Sequence, residues 1–379
     1  MLTWLKHYWR AVLLVSVPVA GALEFLAPER QTAIFIASGV AILPLAAYIG
    51  YATEVLSRQL GGGIGRLLNA TFGNVAELII GVFALRGGLT DLVKASLTGS
   101  IIGNVLLVFG LCAVVGGWRH RVLRFNRTAA GLGTTMLLLS AIGLTVPAVF
   151  HQLARGSGRN SELELDTEIA VVLLLTYCAS LVFTLKTHRD LSGPGPGTAT
   201  ERGSVWPAIG KLAASVAAIA WMSELLVGSI QEAARTLGMS DLFIGVVVIA
   251  IIGNAAEHFS AVMMAARNDM DAALAITIGS SNQIALFVAP VLVFVSYVIA
   301  PMPMDLLFTV FEVVAVALSV LAIALISHDG ETHWMEGVQL LAVYAILVLG
   351  FYFLPPATTG PQSTVNSPWS EPRAQSPSP

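Results

Sequence analysis

Charge is scarce in this 379-residue chain: Asp, Glu, Lys and Arg make up 11% of it, against about 25% in an ordinary soluble domain. Hydrophobic residues supply 56%, and the mean hydropathy is +0.79. That balance excludes a soluble enzyme. Cysteine is scarcer still. Cys112 and Cys178 both fall within apolar runs, where they read as buried free thiols rather than a disulfide or a metal site. No G-x-x-x-x-G-K-[ST] loop occurs, so no nucleotide-driven step is indicated; GGGIGR at 61–66 is only a Gly-rich entry to an apolar span. H-E-x-x-H is also absent, and Glu257-His258 has the wrong order and spacing for an intramembrane metallohydrolase. A net charge of −3 says little about partners; the lipid bilayer is expected as one and nucleic acid is not.

What the chain has is long apolar runs. A spanning helix needs about 20 mostly apolar residues, and the pattern predicts eleven spans: 11–28, 31–57, 64–85, 91–117, 128–151, 167–186, 205–231, 240–266, 271–299, 304–327 and 336–354. The expected architecture is therefore an all-α polytopic membrane protein. Its parts are an N-terminal helix (1–30), a first half (31–187), a Gly/Pro-rich linker (188–203), a second half (204–354) and a Pro/Ser-rich disordered tail (355–379). MLTWLKHYWR has basic residues before an apolar stretch but no convincing cleavage site, so it reads as a retained first helix. Eleven crossings put thirteen Lys and Arg residues on one side and seven on the other, four of the thirteen in WRHRVLRFNR. Positive charge marks the cytoplasmic side. The N-terminus is therefore expected in the cytoplasm and the tail outside, in the plasma (inner) membrane of a bacterium.

Against this apolar ground two short stretches stand out. Residues 73–77 read GNVAE and residues 253–257 read GNAAE. With the sequence shifted by 180, residues 73–100 and 253–280 share nine identities, among them Gly73/Gly253, Asn74/Asn254, Glu77/Glu257, Asp91/Asp271, Gly99/Gly279 and Ser100/Ser280. An upstream glutamate also recurs, Glu54 in TEVL and Glu224 in SELL, after a ten-residue change of register. Five crossings separate Glu77 from Glu257, so their helices enter the membrane from opposite sides. Inverted repeats of this kind build midplane sites in secondary transporters, and an intramembrane acid is costly enough to be functional by default.

The spacing indicates the chemistry. Asn and Glu at i and i+3 share a helix face. Two such faces meeting at a pseudo-two-fold axis offer two carboxylates and two amide carbonyls. Gly73 and Gly253 mark where a helix could break and turn backbone carbonyls inward. All of these donors are oxygen, which suits a hard cation such as Ca²⁺ with its 6–8 irregular ligands. His258 reads as a packing or hydrogen-bonding neighbour rather than a ligand. When the cation leaves, two unpaired carboxylates in a poorly hydrated pocket are neutralised most simply by protons. Cation and proton then compete for the same oxygens, which is antiport. A cation channel would more usually place one acidic ring on a symmetric pore.

GNVAELIIG, preceded by LLNATFGN, and GNAAEHFSAV, followed by GSSNQIALFV, resemble the two α-repeats of the calcium/proton exchangers in the calcium/cation antiporter superfamily. The likeness covers roughly residues 40–350. It implies one helix followed by two inverted five-helix halves, with Ca²⁺ as the transported substrate and no cofactor. It implies that Glu77 and Glu257 bind Ca²⁺ and protons, with Asn74 and Asn254 beside them. It further implies that Ser100, Asn104, Ser280, Ser281 and Gln283 line the pathway, and that Glu54 and Glu224 handle protons. The acidic inter-half segment of eukaryotic relatives is missing, since 188–203 holds only Asp190 and Glu201. SELELDTE at 161–168 reads as a helix start capped by Ser161 or Asp166. Exchange of Na⁺ or K⁺ for protons is the alternative within the class, and the sequence leaves a homo-oligomer open.

Overall fold

The computed structural model describes residues 12–60, 68, 71–153, 159–187 and 205–354. The linker, the tail and GGGIGR lie outside the described residues. A chain whose backbone must be satisfied inside lipid has helices as its simplest solution, and eleven helices account for nearly all that is described. They are α1 (Ser16–Leu26), α2 (Gln31–Leu60), α3 (Val75–Arg86), α4 (Thr90–Arg119), α5 (Arg127–Leu153) and α6 (Arg159–Val182). After the linker come α7 (Trp206–Leu237), α8 (Asp241–Ala266), α9 (Met270–Ile299), α10 (Val310–Ile326) and α11 (Trp334–Phe353). Helices α2–α6 and α7–α11 are the two five-helix halves.

The repeat is visible in the helices themselves. α4 and α9 start 180 residues apart, and both loosen midway into a π-helical stretch, Gly103–Val108 in one and Ile284–Val288 in the other. The long helices α2 and α7 run antiparallel: Lys211 Nζ stands 5.9 Å above the Tyr51 ring, while Gly39 lies beside Leu226. α4 is the central element, with 78% of its apolar window buried. Glycines allow its neighbours that close. A Cβ on Gly337 of α11 would lie 2.6 Å from the Gly110 carbonyl, and one on Gly117 2.6 Å from the Trp334 backbone nitrogen. Small residues at crossings are how membrane helices gain packing contact.

Each face is tied by polar contacts. At one, a two-residue strand β1 (Leu123–Arg124) pairs antiparallel with β2 (Glu331–Thr332), joining the α4–α5 and α10–α11 loops, and Arg124 meets Glu331 at 3.0 Å. At the other, Lys94 on α4 reaches Asp305 at 2.9 Å, Asp91 at 3.0 Å and the Leu307 carbonyl at 3.0 Å. Buried Asp166 accepts from the Leu306 amide at 3.0 Å. Glu312 closes a capping box with Thr309 and accepts from Thr98. These bonds hold the Leu306 and Thr309 amides and the Leu307 carbonyl within the irregular stretch 300–309.

Several expectations need correction. The chain does break at Gly73–Asn74, where a turn precedes α3, but α8 runs helically through Gly253; its irregularity is a π-helical stretch at Ile244–Ile249 instead. α6 begins at Arg159, so neither Ser161 nor Asp166 caps it, and Asp166 serves tertiary bonding. Cys112 is buried, whereas Cys178 is exposed on α6, because that helix faces outward along most of its length.

The β1–β2 pairing requires an even number of crossings between its two loops. Single cysteines at Arg121 and Asp329 should label from one side of the membrane, and those at Asp91 and Asp305 from the other. Labelling of Arg121 and Asp329 from opposite sides would contradict the arrangement.

Candidate functional site

The first turn of α3 and the middle of α8 bring the two motifs together. Asn74 sits in the turn before α3 and Glu77 in its first turn, while Asn254 and Glu257 lie within α8. Glu77 packs against the bare backbone of Gly253: a Cβ there would fall 3.2 Å from both its Cγ and Oε1. Glycine at 253 thus leaves room for the carboxylate of the opposite half. Both Glu77 oxygens are buried and accept no hydrogen bond among the described residues. Asn254 stands beside Glu77, but its amide nitrogen donates to Ser100 Oγ at 2.8 Å and to the Ala250 carbonyl at 3.0 Å. Glu257 is close enough for the two charges to repel.

The asparagines stitch the halves together. Ser280 Oγ lies 2.6 Å from Glu257 Oε2 and 2.8 Å from Asn74 Oδ1, one hydroxyl hydrogen for two acceptors. Asn74 in turn donates to Gln283 Oε1 at 2.7 Å. The bond between Asn74 and Ser280 has its repeat-related twin in that between Asn254 and Ser100, each joining an asparagine of one half to a serine of the other. Four of the sequence-predicted residues therefore form two bridges at repeat-related positions, Asn74 accepting in one and Asn254 donating in the other.

A cavity of about 410 Å³ reaches this point from one face. Its walls include Glu54, Gly73, Gly253, Glu257, Ser280 and Gln283. They belong to the last part of α2, the start of α3, the last part of α8 and the first part of α9, so the cavity opens toward the face that carries the basic α4–α5 loop. Ser100, Asn104 and Ser281 do not line it. Ser100 and Asn104 sit in the contact between α4 and α8, and Ser281 bonds to the Thr277 and Ile101 carbonyls. Glu224 is exposed on α7, away from the cavity. His258 bonds to Asn104 Oδ1 at 3.0 Å, a hydrogen-bonding neighbour as the sequence indicated.

The sequence profile of the sodium/calcium exchanger protein family matches residues 30–186 and 207–353. The chain belongs to that family. The exchanger is 43% identical over 362 residues to a Ca²⁺/H⁺ antiporter of Synechocystis, covering 91% of this chain and 97% of the relative. It is 46% identical over 321 residues to the Ca²⁺/H⁺ antiporter ChaA of Bacillus subtilis, covering 83% and 90%. The solved structure of native YfkE superposes with a TM-score of 0.78 at 41% identity, covering 91% of this chain and 100% of that one. The sodium-calcium exchanger NCX_Mj, at 19% identity and a TM-score of 0.52, shares the fold.

Reading the exchanger's sequence did not reveal the Lys94–Asp305–Glu312 cluster or the buried Thr53 in the cavity wall. The signal for the first was present: Lys94 is a lone cation one turn after Asp91 in an apolar helix. Its partner Asp305 lies 211 residues away.

Gly253→Ala should press a methyl group onto Glu77. Cation affinity should fall by about tenfold, the equivalent of about 1.4 kcal/mol, in equilibrium ⁴⁵Ca binding to purified protein. Ser280→Ala, which removes the bridge to Asn74, should weaken binding similarly, whereas Ser281→Ala should leave it unchanged.

Proposed function

We propose that the protein is a secondary antiporter that exchanges cytoplasmic Ca²⁺ for external protons at the paired GN-x-x-E site. The observation that carries this reading is the Glu77 carboxylate, buried with both oxygens unpartnered beside a second carboxylate. A buried ionised group without a partner is too costly to persist. It needs either a cation or a proton, and the site offers each the same oxygens. The family membership and the names of the antiporter relatives agree with this reading.

Glu77 and Glu257 are the charged ligands and the proton carriers. Asn74 and Asn254 contribute neutral oxygens when their cross-half bonds yield, and Gly73 and Gly253 allow backbone oxygens to approach. Glu54 stands in the vestibule below the pair, where protons released from the site meet water. The vestibule faces the side rich in Lys and Arg, which the charge asymmetry makes cytoplasmic. Calcium therefore loads from the cytoplasm of a cell whose plasma membrane holds the protein. One Ca²⁺ replaced by two protons, one on each glutamate, moves no net charge.

Proton-dependent ⁴⁵Ca uptake into everted vesicles tests the reading, with Na⁺ and K⁺ run in parallel as the competing ions. Glu77→Gln and Glu257→Gln preserve shape but remove the charge and the exchangeable proton. Each should abolish uptake while the protein remains folded in the membrane. Near-normal uptake by either variant would rule out the paired-glutamate site. Accumulation that ignores an imposed pH gradient would indicate a channel.

Coupling is tested separately by holding the pH gradient fixed and varying a potassium diffusion potential. Uptake should not respond. If Glu54 or Glu224 carried a third proton, each cycle would move one charge, adding about 2.3 kcal/mol per 100 mV to the driving force. Uptake that follows the potential would sink the electroneutral scheme.

A further inference from the structure

A hydroxyl inside a membrane helix has a partner close at hand, the carbonyl one turn earlier. Ser38, Thr134, Ser229, Thr277 and Ser319 all donate to it. Among the described residues, two helical hydroxyls are instead buried without any partner, Thr53 on α2 and Ser223 on α7. The two residues are 2% and 0% exposed. A buried hydroxyl left unpaired carries an uncompensated desolvation cost, which valine or alanine at the same place would remove.

The two positions correspond. Each immediately precedes the glutamate that recurs upstream of the motifs, Glu54 in TEVL and Glu224 in SELL. The burial pattern recurs with the spelling: Tyr51 and Trp221 are exposed, the next two residues are buried, and Glu54 and Glu224 are exposed again. The hydroxyls are therefore twins in the two halves, as Glu77 and Glu257 are. Thr53 lies in the wall of the cavity that Glu54, Glu257 and Ser280 also line. Ser223 is not part of that wall and is fully enclosed.

We propose that Thr53 and Ser223 relay protons between the central glutamates and the two faces, Thr53 on the inner route and Ser223 on the outer. The chemistry favours a proton over the cation. A hydroxyl that donates to its own backbone still offers lone pairs to a metal ion, so coordination would not require that bond to be given up. An unbonded O–H can accept a proton on one side and release its own on the other. In each transfer one O–H bond forms, another breaks, and the hydroxyl ends neutral. On the inner route a proton leaves Glu257, crosses Thr53 and passes to water beside Glu54, leaving an ionised carboxylate for the incoming cation. On the outer route a proton enters past Glu224, crosses Ser223 and reaches Glu77 once that side opens. Threonine in a helix has two favourable χ1 rotamers, so rotation carries its oxygen from a covered position into the cavity. The inference rests on the exchange reading above.

The test removes each hydroxyl with little change of shape, by Thr53→Val and by Ser223→Ala. Proton-driven ⁴⁵Ca uptake should fall by about tenfold or more in each. Equilibrium ⁴⁵Ca binding to the purified protein should not change, and neither variant should unfold at a lower temperature than the unsubstituted protein. Thr53→Ser returns an O–H and should return uptake. Full-rate uptake by either hydroxyl-free variant overturns the proposal. So does a fall in binding that matches the fall in uptake, which would make the hydroxyls cation ligands. A loss by Thr53→Ser as large as that by Thr53→Val, with a lowered unfolding temperature, would make them structural and overturn it too. Absence of proton-driven uptake by the unsubstituted protein would instead overturn the exchange reading beneath it.

Discussion

A carboxylate held away from water costs several kcal/mol unless a cation, a proton or hydrogen bonds compensate it. Among the described residues neither Glu77 oxygen accepts a hydrogen bond, and no cation stands beside it. Much of the surrounding structure follows from that omission. Gly253 has no side chain because Glu77 lies against it, and Asn254, beside Glu77, gives its amide hydrogens to Ser100 and the Ala250 carbonyl. Glu257 differs, being held by Ser280 and through it by Asn74 and Gln283. The two acids are sequence twins in unlike surroundings. Glu257 is pinned by Ser280 at the cavity wall, and Glu77 lies buried behind it against Gly253.

Access in this conformation is one-sided for reasons that can be located. On the closed side, backbone packing at Gly99–Val246 and Gly245–Ala95 is continuous with the Lys94, Asp305 and Glu312 cluster. That cluster also secures the only long irregular segment among the described membrane residues, 300–309. On the open side, Gly279, the twin of Gly99, faces free space and a cavity of about 410 Å³ reaches Glu257. The cross-half asparagine–serine bridges are present in both halves at 2.8 Å. The bridges therefore belong to the symmetric frame, and the difference between the faces lies in helix approach.

The repeat also assigns distinct work to residues that look alike. Asp91 and Asp271 are identical under the 180-residue shift, and each sits in the first turn of its helix, where a negative charge is favourable. Asp91 holds Lys94 at one face, while Asp271 accepts from the Asn126 amide at 2.6 Å at the other. Each anchors a neighbouring segment at the entry of a central helix.

The sequence alone determined the membrane class, the eleven helices, the two halves and the acids at their centre. Apolar length is a local property, and a charge inside an apolar run can be seen without knowing its neighbours. Repetition at a fixed interval exposed the inverted design for the same reason. Partner choice was not legible, because it joins residues far apart in the chain: Asn74 to Ser280, Asn254 to Ser100, Lys94 to Asp305. Nor could spelling show that GNVAE follows a chain break while GNAAE lies in an unbroken helix. Only tertiary structure decided which of two equivalent glycines is sealed and which is open. Two halves of nearly the same sequence can be in different environments at once, and that difference is carried by packing rather than by residue identity.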